Sequence, residues 1–95
     1  MGISVTVRLD TLLAQIAGRK EVVVNLDGSA VPGEPVTITE ALDEVARLLP
    51  DVSRILNDVT QRRYLKFTRN GTAVPEIEPL TQGDVVDIFS PFLGG

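Results

Sequence analysis

The sequence predicts an α+β domain in which one main helix packs on one face of a mixed sheet of four to five strands. Three observations carry that expectation. Residues 3–9 alternate apolar and polar without a miss, the period of a half-buried strand. Ile38, Leu42, Val45 and Leu49 recur at helical spacing behind the capping sequence Thr37-Ile38-Thr39-Glu40. Asn70-Gly71 divides two further strand-like runs and is the strongest short hairpin signal, because both residues tolerate positive φ.

Taken in order, the first strand should turn Ile3, Val5, Val7 and Leu9 toward the core. Residues 10–18 read as a connection with room for a helical turn carrying Leu12, Leu13 and Ile16. Residues 20–26 are β-branched and form a second strand, expected to run antiparallel to the first. Gly28, Pro32, Gly33 and Pro35 make the following stretch a loop. In the helix, Glu40, Asp43 and Glu44 sit early, where the helix dipole favours negative charge, and read as cap and solvated face rather than an acid pair. Ala41 and Leu48 widen the apolar stripe, and Pro50 ends it. Residues 51–63 begin with a turn burying Val52, Ile55 and Leu56 and continue as polar loop.

Residues 64–69 return to strand alternation, and a short return strand at 72–74 stops at Pro75. The turn Pro79-Leu80-Thr81-Gln82-Gly83-Asp84 leads into the last strand, residues 85–89, with Asp84 as a turn residue. If Val86 and Ile88 face the core, then Val85, Asp87 and Phe89 lie on the open face. An exposed Phe89 is a candidate anchor for a partner, and Asp87 a candidate charge to pair with a basic residue of that partner. Strand, strand, helix, strand, short strand, strand is the β-grasp arrangement, with the last strand central beside the first.

Composition narrows the function. The 95 residues suffice for one domain, read as a body of residues 1–90 and a flexible tail of residues 91–95. The chain has no cysteine and no histidine, which removes disulfides, thiolate ligands, a cysteine nucleophile and the commonest general base. No catalytic or metal-ligating residue is assigned, and no bound cofactor is expected. A formal charge of −4 opposes a nucleic-acid partner, and Arg62, Arg63, Lys66 and Arg69 read as a solvated sheet edge. With no leader pattern and no apolar run of membrane-spanning length, the expected location is the cytoplasm, with no membrane partner.

What remains is the end of the chain, Ser90-Pro91-Phe92-Leu93-Gly94-Gly95. Pro91 cannot continue a sheet interior, so the tail should leave the fold there. Gly94 and Gly95 carry no Cβ, so the Gly95 carboxylate sits on a thin stalk able to thread a narrow enzyme site. Phe92 and Leu93 are apolar residues suited to a partner's groove.

The whole chain resembles the ubiquitin-like sulfur carriers of the MoaD/ThiS superfamily. The resemblance lies in the capped start Thr37-Ile38 with Leu42, the Asn70-Gly71 hairpin, the Pro79-Leu80-Thr81-Gln82-Gly83-Asp84 turn, and the terminal Gly94-Gly95 eleven residues beyond it. It implies that a ubiquitin-activating-type enzyme uses ATP to adenylate the Gly95 carboxylate. A persulfide sulfur donor then displaces AMP and leaves a thiocarboxylate that a sulfur-accepting synthase consumes. Phe92, Leu93 and Gly94 would thread the enzyme, while Val85, Asp87, Phe89 and Pro91 would dock the body. The chain is thereby a cosubstrate and not an enzyme. Molybdopterin, cysteine, thiamine and sulfur-containing secondary metabolites are the destinations the resemblance implies, with the chain more similar to molybdopterin-type or cysteine-type carriers. Phe92-Leu93 departs from the family's commoner small or β-branched residues before Gly-Gly. Two other readings share the same residues: a protein modifier joined to lysines through Gly95, and a β-grasp interaction module without tail chemistry.

Overall fold

The computed structural model describes residues 2–27 and 33–91. Its elements run β1 (Ile3–Leu9), α1 (Thr11–Ala17), β2 (Glu21–Leu26), α2 (Ile38–Leu48), α3 (Pro50–Leu56), α4 (Val59–Tyr64), β3 (Lys66–Arg69), β4 (Thr72–Val74) and β5 (Val85–Phe89). The five strands form one sheet in the order β2-β1-β5-β3-β4. β1 runs antiparallel to β2 and parallel to β5, while β3 is antiparallel to both β5 and β4. This is the β-grasp order, and β5 occupies the centre of the sheet.

The strand periods place the core. Val5, Val7, Val22, Val24, Leu26, Phe67, Val86 and Ile88 are buried on one face of the sheet, where α2 contributes Ile38, Ala41, Leu42 and Val45. The start of α2 is fixed as its sequence requires: the Glu40 carboxylate reaches back to accept the Thr37 N–H at 2.8 Å. Leu48 departs from the expected stripe. It is exposed, whereas Leu49, the other expected stripe residue at this end, is buried where the helix ends.

Two stretches hold more helix than the sequence suggested. Residues 10–18 form the complete helix α1, with Asp10 as its N-cap and Gly18 ending it at φ +76°. The segment after Pro50 is not a turn followed by loop. Pro50 opens α3 at its first position, where its missing N–H has no partner to lose, and α3 buries Val52, Ile55 and Leu56. Asp58 then caps α4, which buries none of its residues and so shows no apolar stripe in the sequence. Tyr64 closes α4 and does not open β3.

The hairpin follows the sequence closely, with Asn70 at φ +51° and Gly71 at φ +89°. The turn before β5 is stitched to β1: Gly83 N–H donates to Ser4 C=O at 2.8 Å, and Thr6 N–H donates to Asp84 C=O at 2.9 Å. No helix among the described residues is long and apolar enough to cross a membrane.

Candidate functional site

Because β5 is hydrogen-bonded on both sides, the residues that follow it leave from the middle of the sheet, on the same edge where β1 runs into α1. Ser90, 2% exposed, is the last buried residue among those described. Its backbone N–H donates to Asp10 Oδ2 at 2.6 Å, and its hydroxyl donates to the same oxygen. The other carboxylate oxygen, Asp10 Oδ1, accepts the Leu13 N–H at 2.9 Å and caps α1. Burial alone would push the Asp10 carboxyl up; the hydrogen bonds from Ser90 and Leu13 outweigh it and hold the group below the usual carboxylate range. One side chain thus joins the start of a helix to the base of the tail. Pro91 follows as an exposed turn residue. Phe92, Leu93, Gly94 and Gly95 lie outside the described residues, and with them the expected flexible tail.

The open face beside this exit is built by strand alternation. Val86 and Ile88 are wholly buried, so Val85, Asp87 and Phe89 point the other way, with Phe89 42% exposed and in register with Lys66. Asp87 lies in a row that crosses all five strands: Glu21, Arg8, Asp87, Thr68 and Ala73 are successive cross-strand partners. Arg8 meets Asp87 with two parallel bonds, Nε to Oδ1 at 2.6 Å and a second nitrogen to Oδ2 at 2.9 Å, and the Thr68 hydroxyl adds a third at 3.0 Å. The Arg8 hydrogen bond, against a smaller opposing effect of burial, keeps the Asp87 carboxyl below its usual range. Asp87 therefore already has a cation of its own chain. A shallow groove of about 850 Å³ runs from this pair along α1, lined by Arg8, Thr11, Gln15, Arg19 and Asp87 among others.

The basic residues singled out in the sequence are not one solvated edge. Arg62 pairs with Glu76 at 2.8 Å and more loosely with Asp43, while Arg69 pairs with Asp84 at 2.7 Å and Glu78 at 3.2 Å. Among the described residues, no group of acidic side chains is placed to hold a metal ion.

Sequence reasoning put Val85, Asp87 and Phe89 on one face but missed Asp10, Ser90 and Arg8. A signal existed for Asp10, an N-cap residue type directly before the apolar pair Leu12-Leu13. Arg8 follows from the alternation of β1, which turns it to the face opposite Val7. Nothing local to Ser90 announces a partner 80 residues away in sequence.

Residues 22–95 match the model of the ThiS family. The chain is 33% identical over 85 residues to small archaeal modifier protein 1 of Haloferax volcanii, spanning 87% of this chain and 91% of that protein. A crystal structure of SAMP1 from Haloferax volcanii superposes with a TM-score of 0.77 at 31% identity, covering 97% of this chain and 99% of the other. A solution structure of SAMP1 from Methanosarcina acetivorans has a TM-score of 0.74, covering 100% and 99% of the two chains; at 17% identity it shows the shared fold.

Proposed function

Since this chain belongs to the ThiS family of ubiquitin-like small proteins, we propose that it is a sulfur carrier whose reactive group is the Gly95 carboxylate. The observation that carries this reading is the placement of β5. A chain ending in Gly94-Gly95 continues from the central strand of the sheet, and its base at Ser90 is held by two hydrogen bonds. A compact body then presents a small, unhindered carboxylate to an enzyme that supplies all the chemistry.

In that chemistry a free carboxylate is a poor acyl donor, so ATP is spent to make the Gly95 acyl-adenylate, with release of pyrophosphate. The terminal sulfur of a persulfide attacks the acyl carbon and AMP leaves. A thiol then reduces the resulting acyl disulfide and frees the thiocarboxylate, which a sulfur-accepting synthase consumes. The chain contributes recognition and reach. Phe89, Val85 and Pro91 offer the docking surface, Phe92, Leu93 and Gly94 thread the enzyme, and Asp87 acts from within its bond to Arg8. ATP and the persulfide belong to the partner, and the cytoplasm supplies both.

The experiment is the intact mass of the protein after incubation with its activating enzyme, ATP and a sulfur donor. The expected gain is that of one oxygen replaced by sulfur, absent when Gly95 is deleted. No gain with an enzyme shown to be active on another carrier overturns the reading.

The likeness to small archaeal modifier protein 1 favours a second reading, conjugation of Gly95 to lysines of other proteins. The same adenylate serves both, with a lysine amine in place of the persulfide. Isopeptide-linked adducts that carry this chain in cell lysate, lost on deletion of Gly95, would establish that role.

A further inference from the structure

Asp10 lies in β1's exit, far in sequence from the tail, yet it is the residue on which the tail's base is fastened. Its carboxylate is divided between two jobs. Oδ1 caps α1 through Leu13 N–H, and Oδ2 takes both the N–H and the hydroxyl of Ser90. A helix cap needs a single acceptor oxygen, which serine, threonine or asparagine supplies equally well. Ser90 needs an acceptor as well, since its hydroxyl and N–H are buried and would otherwise be left unsatisfied. Only a side chain with two strong acceptor oxygens at this distance satisfies both ends.

The arrangement has a consequence for reach. β5 stops pairing at Phe89, so no strand bond restrains Ser90 in the sheet. The restraint passes to Asp10, which is itself held by a helix packed on the body, with Leu13 fully buried. We propose that Asp10 is a positioning residue for the C-terminal tail: its carboxylate ties Ser90 to the start of α1 and fixes the point from which the tail enters a partner enzyme. A tail freed at Ser90 still docks through the open face but spends less time with its carboxylate aligned for attack on ATP. Alignment of reacting groups governs the chemical step more than the encounter.

The enzymatic arm of the test rests on the carrier reading above; the structural arm does not. Asp10→Ser keeps one acceptor for Leu13 but is too short to bridge to Ser90, and Ser90→Ala removes the hydroxyl while leaving the α1 cap untouched. Amide hydrogen exchange is measured at Ser90 and Leu13, and kcat and KM are measured for adenylation by the activating enzyme. In Asp10→Ser, Leu13 is expected to stay protected and Ser90 to lose protection, kcat to fall roughly tenfold to a hundredfold, and KM to hold. Ser90→Ala is expected to show the same kcat-only loss at smaller size, and it carries the test if Asp10→Ser does not fold.

Loss of Ser90 protection with kcat unchanged would reduce Asp10 to a structural cap and overturn the proposal. Unchanged Ser90 protection would overturn it as well, since the tie would then not depend on Asp10. If the wild-type chain is not adenylated at all, the carrier reading fails, and the exchange arm alone decides whether Asp10 holds the tail's base.

Discussion

A carboxylate only 5% exposed is costly unless its charge is met, and Asp84 meets that condition with donors from two separate segments. Arg69 Nε lies at 2.7 Å, Thr81 N–H at 2.8 Å and Asn70 Nδ2 at 2.9 Å. Burial pushes the carboxyl up, but the Arg69, Thr81 and Asn70 bonds together hold it at about 2. A folded-state pKa below the unfolded value means stability that is fully present above the unfolded pKa and lost as pH falls through the folded one. The window therefore runs from about pH 4 down to about pH 2, and the contribution at neutral pH is about 2 kcal/mol. Asp84→Asn should lower the unfolding free energy at pH 7 by that amount, read as a lower urea midpoint with an unchanged slope, and most of the gap to wild type should be gone once pH has fallen to about 2. A gap of undiminished size at pH 2 would place the loss in packing and not in charge. The sequence identified Asp84 as a turn residue and no more, because Arg69 and Asn70 come from a hairpin that only the fold brings alongside.

Elements whose signal is local were readable, and those whose signal is tertiary were not. The hairpin is the clearest case, since Asn70 and Gly71 both take the positive φ that the pair predicts. A Cβ built on Gly71 meets nothing within 4 Å, so Gly71→Ala isolates the backbone cost of a left-handed conformation. The expected loss is about 1 kcal/mol in chemical denaturation, without change in the sheet's spectroscopic signature. No loss would mean that the turn rearranges at little cost. α2 was equally legible, from its cap and its stripe. α4 was not, because it buries none of its residues and hydrophobic periodicity had nothing to report. Pro50 stops α2, as its residue type predicts, but a proline at the first position also starts a helix, and Val52, Ile55 and Leu56 supply the buried face that continues it.

At the scale of the whole molecule, strand parity was enough to put Phe89 on the open face and Val86 and Ile88 in the core, while the connection between tail and body was invisible. Parity is a property of one strand, whereas the Asp10–Ser90 tie depends on a parallel pairing of the first and last strands. On the proposed carrier reading, these two features divide recognition into separable parts. Phe89 is 42% exposed and does not complete the core, so Phe89→Ala should leave thermal stability close to wild type. If Phe89 docks the chain as proposed, the same substitution should instead weaken binding to the activating enzyme by about 2 kcal/mol, roughly thirtyfold in dissociation constant. That loss should appear in KM with kcat retained, because a body docked less often is still aligned once docked. Asp10→Ser should show the reverse pattern. If Phe89→Ala lowers kcat and spares KM, the aromatic serves alignment and the docking surface lies elsewhere, with the groove between Arg8 and Gln15 along α1 the next face to substitute.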